Sequence, residues 1–231
     1  MAARPKVPAR HLRDATRSMV AFFELQRTTV VDHWPDPKAD RRPGAHKARV
    51  DELFSLTRWD RVLTPEIFSI AMGAATAAGT SIMAGLAGFE EEDYDADMTV
   101  GWLTVHAAAV AAGINISTRA DLATALTAGL AADDVAQMFT GYLTRRAPQI
   151  AQTEVTAAAG FGTREAGQQT GRPMVKTWKT GSNPRSTHAR LDGETVALDA
   201  LFSNRARWPG DSVLDTQERA GCNCSMEIDT E

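Results

Sequence analysis

The chain is poor in aromatic residues and has almost no cysteine. Of its 231 residues, 6% are aromatic and two are cysteines, Cys222 and Cys224, with one residue between them. A bond between two cysteines this close would be strained, so a disulfide framework is excluded and a reducing compartment is expected. No apolar core or cleavage site follows the basic first residues, so we expect no signal peptide.

Motifs of common enzyme classes are also missing. The sequence holds no phosphate-binding loop, no HExxH and no GxSxG. Residues 67–88 carry no charge and are long enough to span a bilayer. They are mostly Ala, Gly, Ser and Thr, which contribute little transfer free energy. We therefore expect no membrane partner but a helix buried between other helices, with Gly73, Gly79 and Gly85 marking a close helix contact.

Charge is distributed unevenly along the chain. Residues 1–49 carry eleven basic and five acidic side chains, a net charge of +6, and the remaining residues carry −10. A basic segment on an acidic body favours an anionic partner, such as double-stranded DNA or an acidic protein surface. The alternative is a solvated basic helix followed by a linker. We expect an arm outside the core, whose candidate contacts are Arg10, Arg13, Arg17, Arg41 and Arg42.

Alanine is abundant, and because it is the best helix former it predicts closely packed helices. Apolar spacing and capping residues predict helices at residues 11–32, 45–62, from 64 onward, 98–112, 118–130, 133–146 and 150–168. Residues 34–44, with three prolines and a glycine, predict a linker. The pattern changes after residue 171: residues 175–179 alternate like a strand, Asp192-Gly193 predicts a hairpin turn, and residues 220–228 predict a closing strand.

These elements predict an α+β protein. Its N-terminal two-thirds are mainly helical, and a small C-terminal α+β module with a short antiparallel sheet follows. The expected domains are a basic helix and proline-rich linker at residues 1–44, a helical domain at 45–170 and the C-terminal module at 171–231. We expect the strands of this module to close around Trp178.

His188, Cys222 and Cys224 form the constellation with the most chemistry. Two thiolates and an imidazole are natural ligands of Zn²⁺, the cofactor that this set would take. A fourth ligand would have to come from Asp192 or water. Two alternatives stay open. In one, the three residues form a buried packing cluster in which His188 holds the hairpin. In the other, they form a catalytic Cys–His pair oriented by Asp192 or Glu154.

The order of motifs resembles that of the phage Mu F-type minor head proteins, over residues 103–228 and most sharply from residue 148. That pattern runs through Ala-Arg-Thr-Glu, Trp, Arg-x-x-His, Leu-Asp-Gly, a Pro-Asp loop and Asn-Cys-Arg-Cys. The matching positions are Ala151, Thr153, Glu154, Trp178, Arg185, His188, Leu191, Asp192, Gly193, Pro209, Asp211, Cys222 and Cys224. The chain departs from the pattern at Gln152, Gly221 and Asn223, and Gln152 leaves Glu154 without its usual neighbouring arginine.

The resemblance implies a minor capsid or head morphogenesis protein of a tailed bacteriophage and not an enzyme. Expected partners are the portal protein, the major capsid or scaffold protein, and packaged double-stranded DNA. The expected location is the capsid interior or portal vertex of the virion, and the host cytoplasm during assembly. The expected structural residues of the motif are Glu154, Trp178, Arg185, Asp192 and Gly193. The alternative functions are a Cys–His enzyme and a toxin-delivery module, although we expect no appended toxin domain because the chain stops just after the cysteines.

Overall fold

The computed structural model of the chain describes residues 2–35 and 50–231. Residues 50–53 are helical. The named helices are α1 (Ala9–Val31), α2 (Leu56–Met83), α3 (Val100–Thr127), α4 (Ala132–Gly141), α5 (Ala147–Gln169), α6 (Ser186–Ala189) and α7 (Thr216–Arg219). Short 3₁₀ turns occupy Glu91–Asp93 and Ala96–Thr99, and a π-helical turn occupies Tyr142–Arg146. The strands are β1 (Met174–Lys179), β2 (Thr195–Ala197) and β3 (Ser225–Thr230). This order confirms the predicted α+β class.

The chain folds into two compact units, and each unit is built from segments that are not consecutive in the sequence. The first combines residues 2–16, 69–104 and 149–231, so α5 belongs with the C-terminal strands. The second combines residues 17–35, 50–68 and 105–148. The predicted boundary between residues 44 and 45 lies outside the described residues, as does most of the predicted linker.

The N-terminal segment is part of both cores, so the expectation of an arm outside the core is wrong for the described residues. In the first unit, Ala3 is buried and exchanges two backbone hydrogen bonds with Ile228, at 2.7 and 2.9 Å. In the second unit, Met19, Phe22 and Phe23 of α1 are buried. Their apolar area outweighs the preference of the basic side chains for solvent, and the basic residues stay on the opposite face of the helix.

Two helices run through positions where the sequence predicted an end. Helix α2 contains Pro65, and α3 contains Gly113. Proline removes one hydrogen bond and glycine costs about 1 kcal/mol in a helix interior. Burial of the flanking residues, such as Leu63 and Ile67 around Pro65, outweighs these local penalties. Two helical stretches, Val50–Met83 and Ala96–Thr127, have the length and composition of a membrane-crossing helix.

Gly79 of α2 and Gly85, just after its end, lie against close neighbours, but these neighbours are not helices, so the predicted helix contact is not found at either glycine. A Cβ atom at Gly79 would lie 2.1 Å from the Tyr94 ring, and one at Gly85 would lie 2.9 Å from the Cβ of Ala3. The contact between α2 and α5 is equally close, since a Cβ at Gly162 would lie 2.2 Å from the carbonyl oxygen of Ala75. Glycine is therefore required where these backbones meet.

The three strands form one antiparallel sheet with β1 in the centre, in the order β2-β1-β3. Trp178 pairs with Met226, and Lys176 pairs with Ile228. Alternate residues of β1 are buried, which confirms the predicted strand periodicity and places Trp178 in the core. The predicted Asp-Gly hairpin is wrong in detail, because the short helix α6 stands in place of the first hairpin strand before Gly193.

Candidate metal site

The structure brings His188, Cys222 and Cys224 together. His188 lies on α6, and the two cysteines lie on the loop between α7 and β3. The Nδ1 atom of His188 is 3.5 Å from the Sγ atom of Cys222 and 3.5 Å from that of Cys224. All three ligand atoms lie within 4.8 Å of one another, and all three side chains are buried. They form the one such group of three or more candidate ligand residues in the described part of the chain.

Backbone N–H groups act on the pKa of both thiols. The N–H of Cys224 lowers the pKa of Cys222, and the N–H of Gly181 lowers the pKa of Cys224. Gly181 is required there, because a Cβ atom would lie 2.3 Å from the Asn223 Oδ1 atom. Donors of this kind stabilise negative charge on sulfur, which is the state in which cysteine binds metal.

The two thiols differ in acidity. The pKa of Cys224 is lowered to about 4, chiefly by the hydrogen bond that the Cys222 thiol donates to it, and further by His188, while burial opposes the shift. The same hydrogen bond, together with burial, raises the pKa of Cys222. The hydrogen bond to Cys224 raises the pKa of His188, although burial works against it. The cluster therefore favours negative charge on Cys224 beside an imidazole with a raised affinity for protons.

Helix α5 fixes the cysteine loop through two threonines: Thr153, which the sequence analysis matched only as a motif position, and Thr156, which it did not select. The Thr153 hydroxyl accepts a hydrogen bond from the Gly221 N–H at 2.8 Å, and the Thr156 hydroxyl donates to the Cys222 carbonyl at 2.6 Å. Thr153 stands inside the matched Ala151–Glu154 element, so its position was a signal that could have been used. Thr156 carried no such signal.

The charged motif residues surround this loop. Arg185 donates a hydrogen bond to the carbonyl of Ala220. Glu154 is buried, and its carboxylate lies 3.8 Å from the Arg219 guanidinium. Gln152 stands where the motif has an arginine, and Arg219 of α7 is instead the arginine nearest to the Glu154 carboxylate in this contact. These contacts place both predicted structural residues next to the cysteines.

Asp192 lies elsewhere, which corrects its assignment as a fourth ligand or orienting group. Its carboxylate accepts hydrogen bonds from the backbone N–H of Thr180 at 2.8 Å and from the Thr180 hydroxyl at 3.1 Å. The Thr180 N–H lowers the pKa of this exposed carboxyl. Gly193 has a φ of +80° and donates its N–H to the Trp178 carbonyl at 2.9 Å. Both residues hold the turn.

Two further ionisable side chains are buried in the module. Arg207 holds the carboxylate of Asp211 in a bidentate contact at 2.8 and 2.9 Å. Burial alone would raise the pKa of Asp211, but these hydrogen bonds lower it. Lys176 donates to the Arg207 carbonyl at 2.8 Å and lies over the Phe202 ring. Burial lowers the pKa of Lys176 to about 8.

The predicted basic contacts are only partly described. Arg10, Arg13 and Arg17 are exposed on α1, and their spacing places them on one helical face. Arg41 and Arg42 lie outside the described residues. We name the surface of Arg10, Arg13 and Arg17 the basic face of α1.

Comparison of the chain with family models, curated proteins and solved structures gave no match. The resemblance to the Mu F-type minor head proteins therefore rests on the motif order given above.

Proposed function

We propose that this chain is a minor capsid or head morphogenesis protein of a tailed bacteriophage. The observation that carries the proposal is the convergence of the motif residues. Residues from Glu154 to Cys224, spread over some seventy positions, meet in one compact unit. There, Glu154 and Arg185 contact the segment at residues 219–220, next to the cysteines.

Further support for a structural role comes from what the motif residues do. Trp178 is buried in the core, Gly193 donates its N–H to the Trp178 carbonyl, and Asp211 accepts hydrogen bonds from the Arg207 side chain. Each of these residues joins segments of the module to one another. A motif used in this way defines a stable docking domain, which is what an assembly protein needs from it.

We propose in addition that His188, Cys222 and Cys224 hold one Zn²⁺. In a tetrahedral zinc site, a nitrogen and a sulfur ligand are separated by roughly 3.5 Å, as follows from ligand bonds of about 2.0 and 2.3 Å. Both nitrogen–sulfur distances here are 3.5 Å. The ion would displace the thiol proton of Cys222 and any proton on Nδ1 of His188, and it would join α6 to the loop before β3. It would supply structural cross-linking, and both sulfurs would bind as thiolates.

For the partner of the basic face of α1, we propose packaged double-stranded DNA or an acidic surface of the portal, scaffold or major capsid protein. Since α1 also contributes to the core, deletion would confuse binding with folding. Substitution of the three exposed arginines by glutamine keeps the helix and removes the charge. A matched control replaces three other exposed arginines, Arg61, Arg145 and Arg190.

The decisive experiment is incorporation into procapsids, with the protein expressed beside the portal, scaffold and capsid proteins of its own phage. We expect the wild-type protein to copurify with particles at a fixed copy number. The Arg10, Arg13 and Arg17 triple variant should be reduced in particles and the control variant should not. If DNA is the partner, binding must weaken steeply with salt because it releases counterions. Particles that assemble normally and exclude the wild-type protein would refute the proposal.

One observation favours a second candidate, an enzyme with a Cys–His nucleophile. The sulfur of Cys224 lies 3.5 Å from Nδ1 of His188, the pKa of Cys224 is lowered and that of His188 is raised, as in a Cys–His nucleophile pair. Residues Cys222 and Cys224 are only 2% and 6% exposed, and this burial limits the access of a substrate to their thiols. Alkylation at about pH 5 separates the two functions: a nucleophilic Cys224 reacts rapidly, and a zinc-bound or packed one does not.

A further inference from the structure

The side chain of Glu218 lies behind the imidazole of His188. Glu218 belongs to α7, whose first turn is capped by Asp215, since the Glu218 N–H donates to that carboxylate at 2.9 Å. The Thr187 hydroxyl donates to Oε2 of Glu218, also at 2.9 Å. The backbone of Glu218 is therefore fixed by the cap of its own helix, and its carboxylate is held by the residue that precedes His188.

The two nitrogens of His188 face different groups. Nδ1 faces both sulfurs, and Nε2 lies 3.0 Å from Oε2 of Glu218. The distance is that of a hydrogen bond, but the contact does not meet hydrogen-bond geometry, and Nε2 has no hydrogen-bond partner among the described residues.

We infer that Glu218 is a positioning residue of the zinc site: it accepts the Nε2–H of His188 and thereby presents Nδ1 as the metal ligand. This inference rests on the zinc site proposed above. A ligating imidazole donates its other N–H to a carboxylate in many metal sites, and this fixes both the tautomer and the ring orientation. Here the imidazole belongs to α6 and the carboxylate to α7, two short helices that are far apart in sequence.

The charges around the cluster are consistent with this role. One Zn²⁺, two thiolates and a neutral imidazole sum to zero, and Glu218 would add a negative charge. Arg219 follows Glu218 on α7, and Arg185 contacts the carbonyl of Ala220 beside the cysteine loop. The guanidinium of Arg185 is thus placed beside the cysteine loop, while that of Arg219 pairs with Glu154.

The test compares zinc affinity in full-length variants. Metal-free protein is titrated with Zn²⁺ in competition with a chromophoric chelator, for wild type, Glu218→Gln and a control, Glu227→Gln. Glu227 is matched because it is also a partly buried carboxylate of this module, with Lys179 as its partner at 3.3 Å. We expect one ion per wild-type chain, about 10- to 100-fold weaker binding for Glu218→Gln, and unchanged binding for Glu227→Gln. The Co²⁺ complex of Glu218→Gln should keep its sulfur-to-metal absorption band, because the ligands remain.

Each other outcome has a distinct meaning. Equal zinc affinity of Glu218→Gln and wild type would overturn the positioning role and leave the zinc site standing. An equal loss in Glu227→Gln would also overturn it, since a general charge effect would then suffice. If wild type binds no more tightly than a Cys222→Ser and Cys224→Ser double variant, the zinc site fails and the role of Glu218 fails with it. Unfolding of the metal-free variants should match, which separates positioning from folding.

Discussion

Replacement of Trp178 by alanine should destabilise the C-terminal module strongly. The indole is fully buried on the central strand, and its ring centroid lies 5.1 Å from that of Phe202 and 5.6 Å from that of His188, both edge-on. Truncation of a buried tryptophan to alanine costs about 3–5 kcal/mol. The indole N–H has no hydrogen-bond partner among the described residues, which already costs the wild type about 1 kcal/mol. We therefore expect a net loss of about 3 kcal/mol.

Two comparison variants make this prediction specific. Trp178→Phe keeps an aromatic ring and removes the unpaired N–H, so its cost should stay below about 1.5 kcal/mol. Trp34→Ala changes a half-buried tryptophan of the other unit, whose N–H donates to the Leu130 carbonyl at 2.9 Å. Urea unfolding of the full chain, followed by far-ultraviolet circular dichroism, gives each free energy. Zinc affinity should fall for Trp178→Ala alone, because His188 loses its aromatic wall. A Trp178→Ala protein within about 1 kcal/mol of wild type would refute the reasoning.

Three other predictions concern the same module. Gly181→Ala should weaken zinc binding and cost about 2 kcal/mol or more, because its Cβ would collide with Asn223; a chelator titration showing wild-type affinity would contradict this. Asp211→Asn should cost about 2 kcal/mol at neutral pH, since it breaks the bidentate contact with Arg207. The pKa of Asp211 is lowered from its usual value of 3.8, so wild type loses this advantage only below that pH, as pH falls through the lowered pKa; the urea midpoints of the two proteins should converge over that acid range. The pKa of Lys176 is lowered to about 8 in the folded protein, so between about pH 8 and 10.5 the folded chain binds fewer protons than the unfolded chain. The stability of wild type should therefore rise relative to that of Lys176→Met over this range. Parallel plots of unfolding free energy against pH for the two proteins would argue against this.

Much of the chemistry could be predicted from residue types and their order. Cys222, Cys224 and His188 were identifiable because thiols and imidazoles are few in this chain and their ligand character does not depend on context. The helical first two-thirds and the strand at Trp178 also followed from local composition and periodicity. The predicted fold class is confirmed for the same reason: helix and strand preferences act over a few neighbouring residues.

Other features depended on packing between distant segments. Lys176 and Trp178 are two residues apart in β1, so they lie on the same face of the strand. Only the packed structure shows that the charged side chain of Lys176 is buried there. Charge suggested that α1 stays outside the core, yet its Met19 and Phe23 are buried. Local signals for a break at Pro65 were likewise overridden by burial on both sides.

The sequence by itself determined which residues could form a metal site, and the tertiary structure decided which residues support it. Thr156 meets the carbonyl of Cys222 across 66 positions, and Glu218 reaches His188 across thirty. Threonine and glutamate are common residues, and nothing local distinguishes these two from others in the chain. Their roles arise from the packing of α5, α6 and α7 around one loop, because a hydrogen bond requires atoms within about 3 Å, a condition that only the folded chain sets.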